Sequence, residues 1–180
     1  KYALSEENLA VGVSYTPWLE SLGIKDINLL YLAGYTKIDN QQAVGASLRY
    51  FSMGDIPAYG EDGKYLEFDL TPIEYAIDVS YSRYLSDFFV MGMTGRVINS
   101  NLGAGLEEDY KPGRSVAADI SGTYFQHITI SSQPADLQIG FSISNIGKKI
   151  AYSDAQKDFI PTNLRLGAGL KTEIDSYNEI

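Results

Sequence analysis

The sequence predicts an all-β chain that forms part of an antiparallel transmembrane β-barrel of the outer membrane. Three observations favour this class: strict alternation of apolar and polar side chains, unusually long strands, and connections that alternate between long and short. In segment 73–84, for example, Tyr75, Ile77, Val79 and Tyr81 alternate with acidic, Ala and Ser residues. No comparable 3.6-residue stripe occurs anywhere, which argues against a helical domain.

Eight strands follow from the alternation, and most have nine to twelve residues. Globular strands centre on five or six residues, whereas membrane-spanning strands need about nine to eleven. Long connections alternate with the short ones at 37–41 and 85–87, as in barrels with short periplasmic turns and longer outward loops. The predicted strands are 8–16, 28–36, 42–52, 73–84, 88–98, 115–126, 136–146 and 163–172. The long connections are 17–27, 53–72, 99–114 and 147–162, and the connection 127–135 is intermediate in length.

Composition excludes several other classes. Fourteen Lys and Arg stand against 23 Asp and Glu, and a net charge of −9 is unsuited to binding nucleic acid. The absence of cysteine excludes a disulfide scaffold, a thiolate zinc site and a Cys nucleophile. The longest stretch without charge, 120–135, is shorter than the roughly 20 apolar residues that a membrane helix requires.

The alternation also predicts which face meets lipid. Six charged residues near the middle of strands occupy the face opposite the bulky apolar side chains, and a Lys or Arg facing lipid at the midplane costs about 2–4 kcal/mol. The charged face is therefore predicted to line a polar lumen, where opposite charges can pair. The six lumen-facing residues are Arg49, Asp78, Arg96, Asp119, Arg165 and Lys171. Aromatic residues near strand ends predict girdles at the membrane surfaces; they are Tyr15, Trp18, Tyr35, Tyr50, Tyr75, Tyr84 and Tyr124.

No motif in the sequence predicts catalysis. His127 is the only histidine, and a metal site or a Ser-His-Asp triad would need more than it can supply. The acidic run at 107–109 is typical of a solvated loop rather than a calcium site. Neither Gly-Ala-Gly segment, at 103–105 or 167–169, has the context of a nucleotide-binding loop. We therefore predict no enzyme activity, no catalytic or metal-binding residue and no cofactor.

Five segments resemble one family, the PorV outer-membrane proteins of the type IX secretion system of Bacteroidota. Their order and spacing match that family along nearly the whole chain. The segments are SYTPWL at 14–19, ASLRYFSMGDI at 46–56, VSYSRYLSD at 79–87, ISNIG at 143–147 and KDFIPTNLRLG at 157–167.

The resemblance implies a fold and a function. The fold would be a fourteen-stranded barrel like that of the FadL fatty-acid transporters. Residues 1–180 would be about eight strands of that single domain, a fragment without the signal peptide, the N-terminal plug and the C-terminal strands. The function would be that of an adaptor, which receives the C-terminal domains of cargo proteins from the SprA-like translocon and delivers them to an attachment complex containing a PorU-like sortase. The outward loops at 53–72, 99–114 and 147–162 would make these contacts.

Two other functions remain open from the sequence. A FadL-like transporter of hydrophobic small molecules would need a continuous apolar path through the barrel. A small soluble lipid-binding barrel would need an apolar interior, which would place Arg49, Arg96 and Arg165 outside in water. A lumen crossed by these charges, with mobile outward loops, would favour the adaptor over the transporter.

Overall fold

The computed structural model describes residues 2–24, 26–60, 62–103, 111–130, 133–153, 157–175 and 178–179. Strands dominate these ranges, and two 3-10 turns, Tyr2–Leu4 and Glu20–Leu22, are the only helices in them. None of the helices described is long and apolar enough to cross a membrane. The strands are β1 Leu9–Pro17, β2 Ile27–Lys37, β3 Gln42–Met53, β4 Ile56–Tyr59, β5 Tyr65–Leu70, β6 Ile73–Ser86, β7 Phe89–Asn101, β8 Gly113–Ile130, β9 Gln133–Gly147, β10 Ile150–Ala151, β11 Lys157–Asp158, β12 Asn163–Asp175 and β13 Asn178–Glu179.

The long strands form one curled antiparallel sheet in the shape of a half-barrel. Its order is β1-β2-β3-β6-β7-β8-β9-β12-β13. The strands of this sheet therefore lie side by side in the order in which they occur along the chain. Within the described ranges, β1 pairs on one side only, with β2. The predicted all-β fold class and the eight long strands are confirmed.

Some predicted boundaries are wrong. The predicted loop 53–72 contains the β4–β5 hairpin, and the predicted loop 147–162 contains the short β10–β11 pair. The predicted connection 127–135 is mostly strand, because β8 continues to Ile130 and β9 begins at Gln133. Pro134 does not stop β9. Proline has no backbone N–H to donate, but none is required at position 134, because pairing with β12 begins only at Ala135.

Cross-strand pairing gives the sheet two chemically different faces. On the face that we call apolar, Ile77 lies opposite Leu48. On the face that we call polar, Asp78 lies opposite both Ser47 and Arg96. Large apolar side chains that are more than half exposed include Val11, Val13, Val79, Met93, Val97, Leu164 and Leu166. Water-soluble proteins rarely expose a continuous apolar surface of this kind.

The buried residues lie mainly on the polar face. At the end of the sheet with the β2–β3 and β6–β7 turns, which we call the short-turn end, the Tyr2–Leu4 turn covers this face. There Ala3 packs against Ala43 and Val90, and its N–H donates to Ser82 Oγ at 3.1 Å. Tyr84 also packs here, so its predicted place in a lipid-facing girdle is wrong.

Candidate functional site

The centre of the polar face holds an ion-pair cluster around one guanidinium group. Arg96 Nε donates to Asp78 Oδ1 at 2.7 Å, and Nη2 donates to Asp78 Oδ2 at 3.2 Å, which makes a bidentate pair. The same Nη2 donates to Asp119 Oδ2 at 3.0 Å. The side chains of Arg96 and Asp78 are only 10% and 9% exposed. The cluster is therefore largely removed from water.

The strand register explains why these residues meet. Asp78 on β6 lies directly opposite Arg96 on β7, so their side chains share one face. Arg96 lies opposite Ala117 on β8, and Asp119 is two residues further along that strand. A long side chain can reach this diagonal neighbour. The planar guanidinium fork of Arg96 bridges both carboxylates, which neither a Lys nor an Asp at position 96 could do.

A β-bulge brings a fourth strand, β9, into the cluster. Between the pairs Ala118–Ile146 and Ile120–Ile143, two residues of β9 face one residue of β8. The extra residue turns Asn145 toward the polar face, with a left-handed φ of 61°. Its N–H donates to Asp119 Oδ1 at 2.8 Å, and its side-chain oxygen accepts from Arg96 Nη1.

Asn145 is a cluster residue that the sequence analysis missed. The sequence contains a signal for it, because Ile143 and Ile146 are three residues apart and break the two-residue period of β9. Such a break is typical of a bulge. Ser47 was missed as well; its hydroxyl donates to Asp78 Oδ2 at 3.2 Å.

The six charges predicted to face the lumen all lie on the polar face by register, but only four come together. Arg49 joins at the rim of the cluster, 4.0 Å from Asp78 and half exposed. Its guanidinium carbon lies 5.8 Å from the centre of the Tyr31 ring. Arg165 and Lys171 lie on β12, opposite Ser142 and Asp136, and take no part in the cluster. That this face lines a lumen stays a prediction.

Arg165 borders a shallow groove on the same face. The groove has a volume of about 590 Å³, and its floor includes Gly167 and Gly169, where an added Cβ would meet no atom within 4 Å. Ser121 and Ser142 contribute hydroxyl groups to its wall.

His127 lies inside β8 rather than beside a turn. Its side chain is 90% exposed and pairs through Nδ1 with Asp136 on the neighbouring strand. Among the residues that the structure describes, no three His, Asp or Glu side chains converge on a possible metal position. The acidic run at 107–109 lies outside the described residues.

The β4–β5 hairpin extends from the opposite end of the sheet, which we call the long-loop end. It exposes a group of apolar and aromatic side chains, and the rings of Tyr59 and Tyr65 are in edge contact at 6.0 Å. Near its tip, the ammonium group of Lys64 binds Asp62 and lowers the pKa of that carboxyl group. A hydrogen bond to Asp69 raises the pKa of the Tyr65 phenol. Exposed members of the group are Ile56, Tyr59, Tyr65, Leu66 and Phe68.

A curled antiparallel half-barrel sheet with one apolar and one polar face fits a fragment of an outer-membrane β-barrel. The family described as "Type IX secretion system protein PorV" matches residues 1–180, the whole chain. The chain therefore belongs to the PorV family, whose members are secretion-system components rather than a known family of enzymes. Comparison with curated proteins gives no match.

Proposed function

We propose that this chain is part of an outer-membrane adaptor of the type IX secretion system. The adaptor receives the C-terminal domains of cargo proteins from an SprA-like translocon and delivers them to an attachment complex with a PorU-like sortase. Membership of the PorV family supports a role in this system. The ion-pair cluster supports the adaptor role over transport of hydrophobic molecules, because a lumen crossed by fixed charges is unsuited to hydrophobic solutes.

The fold supports a larger barrel as the complete unit. The edge of β1 that faces away from β2 has no partner strand among the described residues. Unpaired backbone N–H and C=O groups are not tolerated in the hydrocarbon region of a membrane, where no water can satisfy them. We therefore propose that further strands close the sheet in the outer membrane and bring the total in the barrel to fourteen.

The β4–β5 hairpin is the proposed contact surface for protein partners. Its exposed aromatic and aliphatic side chains extend beyond the strands of the main sheet, on the same side as the other long connections. Aromatic residues displayed on loops of a rigid scaffold are well suited to protein recognition, because they bury a large area at a small cost in side-chain entropy.

The test is an affinity pull-down of the tagged full-length protein from detergent-solubilised outer membrane, with mass spectrometry of the co-purifying chains. We expect the translocon barrel or secreted proteins that share one C-terminal domain. Substituting Tyr59→Ser together with Phe68→Ser should reduce their recovery. Phe88→Ser, which removes an exposed aromatic ring at the short-turn end, should leave recovery unchanged.

One result would contradict the adaptor, and another would contradict the hairpin as its contact surface. The first is recovery of the barrel alone from a membrane with an active secretion system, which would favour the FadL-like transporter. The second is equal loss of partners from the hairpin and Phe88 variants, which would place the contact surface elsewhere.

A further inference from the structure

The connection between β9 and β12 folds inward over the polar face at the long-loop end. Its first residue, Lys148, is anchored twice: its N–H donates to Val116 O at 3.1 Å, and its carbonyl oxygen accepts from Ser115 Oγ at 2.6 Å. Ser115 is 7% exposed. The start of this connection is thus held against the inner surface of the sheet rather than extended into solvent.

Two side chains of the connection then lie on a glycine of the sheet. A Cβ on Gly113 would lie 2.7 Å from Tyr152 Cε1 and 2.8 Å from Ile150 Cγ1. Any residue other than glycine at position 113 would therefore displace these two side chains. The Tyr152 carbonyl oxygen also accepts from the Lys111 N–H at 2.9 Å, which fixes the backbone at this point.

A hydrogen-bond relay joins the same tyrosine to the strands below it. Tyr152 Oη donates to Ser100 Oγ at 2.9 Å, and Ser100 Oγ donates to Glu74 Oε1. Ser100 and Glu74 are directly opposite each other on β7 and β6. Ser100 is only 2% exposed, so the relay lies beneath the tyrosine ring.

The far end of the connection is tied to the ion-pair cluster. Asn145 Nδ2 donates to Pro161 O at 3.1 Å, and Thr162 Oγ1 donates to Asn145 O at 3.1 Å. Asn145 is the bulge residue that also binds Arg96. The connection is therefore held at both ends by groups on the polar face.

We propose that residues 148–153 are a strap that closes the long-loop end of the barrel lumen, with Tyr152 as the residue that holds it shut. The Tyr2–Leu4 turn covers the polar face at the short-turn end, and the ion-pair cluster crosses its centre. The strap adds a third closure, at the outward mouth of the barrel. This inference requires that the polar face lines the barrel interior, and it does not depend on which proteins the barrel binds.

Residues 1–180 contain no cysteine, so a single thiol introduced among them, in a full-length protein kept free of other cysteines, reports on this closure. In the full-length protein we expect Ser100→Cys to react with a membrane-impermeant maleimide at least about tenfold more slowly than Lys64→Cys, whose native side chain is 83% exposed. Adding Tyr152→Ala should accelerate labelling of Cys at position 100 by about tenfold, because the ring no longer covers it. Tyr152→Phe keeps the ring and should change labelling by less than about twofold, because Ser100→Cys has already replaced the hydroxyl that accepts from Tyr152. Leu164→Ala, at the start of β12 on the apolar face and 62% exposed, should change nothing.

Single-channel recording in planar bilayers supplies a second readout. Wild type and Leu164→Ala should show little conductance, and Tyr152→Ala should show open events. Equal labelling of positions 100 and 64 in the wild-type background would overturn the strap. So would equal conductance of wild type and Tyr152→Ala. Neither readout depends on the pull-down, so failure of the strap and failure of the adaptor are distinguishable.

Discussion

Replacing Arg96 by methionine should reveal how strongly the ion-pair cluster depends on its central cation. The substitution keeps an unbranched side chain but leaves Asp78 and Asp119 facing each other, with side chains 9% and 18% exposed. Removing one partner of a buried ion pair leaves an uncompensated charge and costs about 3–5 kcal/mol. We expect a loss of that size in the free energy of unfolding.

Arg49→Met is the matched control. Arg49 lies 4.0 Å from Asp78 and its side chain is 49% exposed, so solvent screens the pair and its loss should cost less than about 1 kcal/mol. Combining Arg96→Met with Asp78→Asn and Asp119→Asn removes both charges left without a partner. This triple variant should recover part of the lost stability, because no carboxylate then remains unpaired.

Urea titration of the full-length protein in lipid vesicles measures these differences, with the slope of the transition checked to be the same in each variant. A loss for Arg96→Met no larger than that for Arg49→Met would refute the reasoning. It would mean that water reaches the cluster as freely as it reaches the rim.

Three further predictions concern single positions. An alanine Cβ at Gly147 would lie 2.3 Å from Val116 O, so Gly147→Ala should lower the free energy of unfolding by about 3 kcal/mol, while Gly167→Ala, with no atom within 4 Å, should change it by less than about 0.5 kcal/mol. Asn145→Gly should cost about 1–3 kcal/mol through its lost hydrogen bonds, and Asn145→Ala about 1 kcal/mol more, because alanine resists the left-handed φ. A hydrogen bond from the Gln41 N–H lowers the pKa of the Asp39 carboxyl group. The stabilisation that this carboxylate gives the turn should therefore be present at neutral pH and be lost as the pH falls through the lowered pKa. Asp39→Asn should remove this acid-sensitive part of the free energy of unfolding.

Urea midpoints test all three. Equal effects of the two glycine substitutions would contradict the close approach of β8 and β9. Equal stability of Asn145→Gly and wild type would mean that the Asn145 side chain contributes nothing to the cluster. An unchanged pH dependence in Asp39→Asn would mean that the turn carboxylate does not contribute.

The faces of the sheet could be predicted because side chains alternate with a period of two. Once Ile77 and Val79 are assigned to one face, Asp78 must lie on the other. The partners of Asp78 could not be predicted with the same certainty, since they depend on the register between strands. The β4–β5 hairpin was missed because its two strands have only four and six residues and lie within a loop rich in turn residues.

The central claim is that the apolar face meets lipid and the polar face lines the barrel interior. Single cysteines at adjacent positions of β6, Val79→Cys and Ser80→Cys, and at Met93→Cys and Thr94→Cys on β7, test it most directly. Each is labelled with a fluorophore in the full-length protein and reconstituted with lipids that carry bromine on their acyl chains. We expect strong quenching at positions 79 and 93 and little at 80 and 94, where the native hydroxyl groups are hydrogen-bonded at 2.8 Å. Equal quenching at adjacent positions, or the reverse pattern, would contradict the claim.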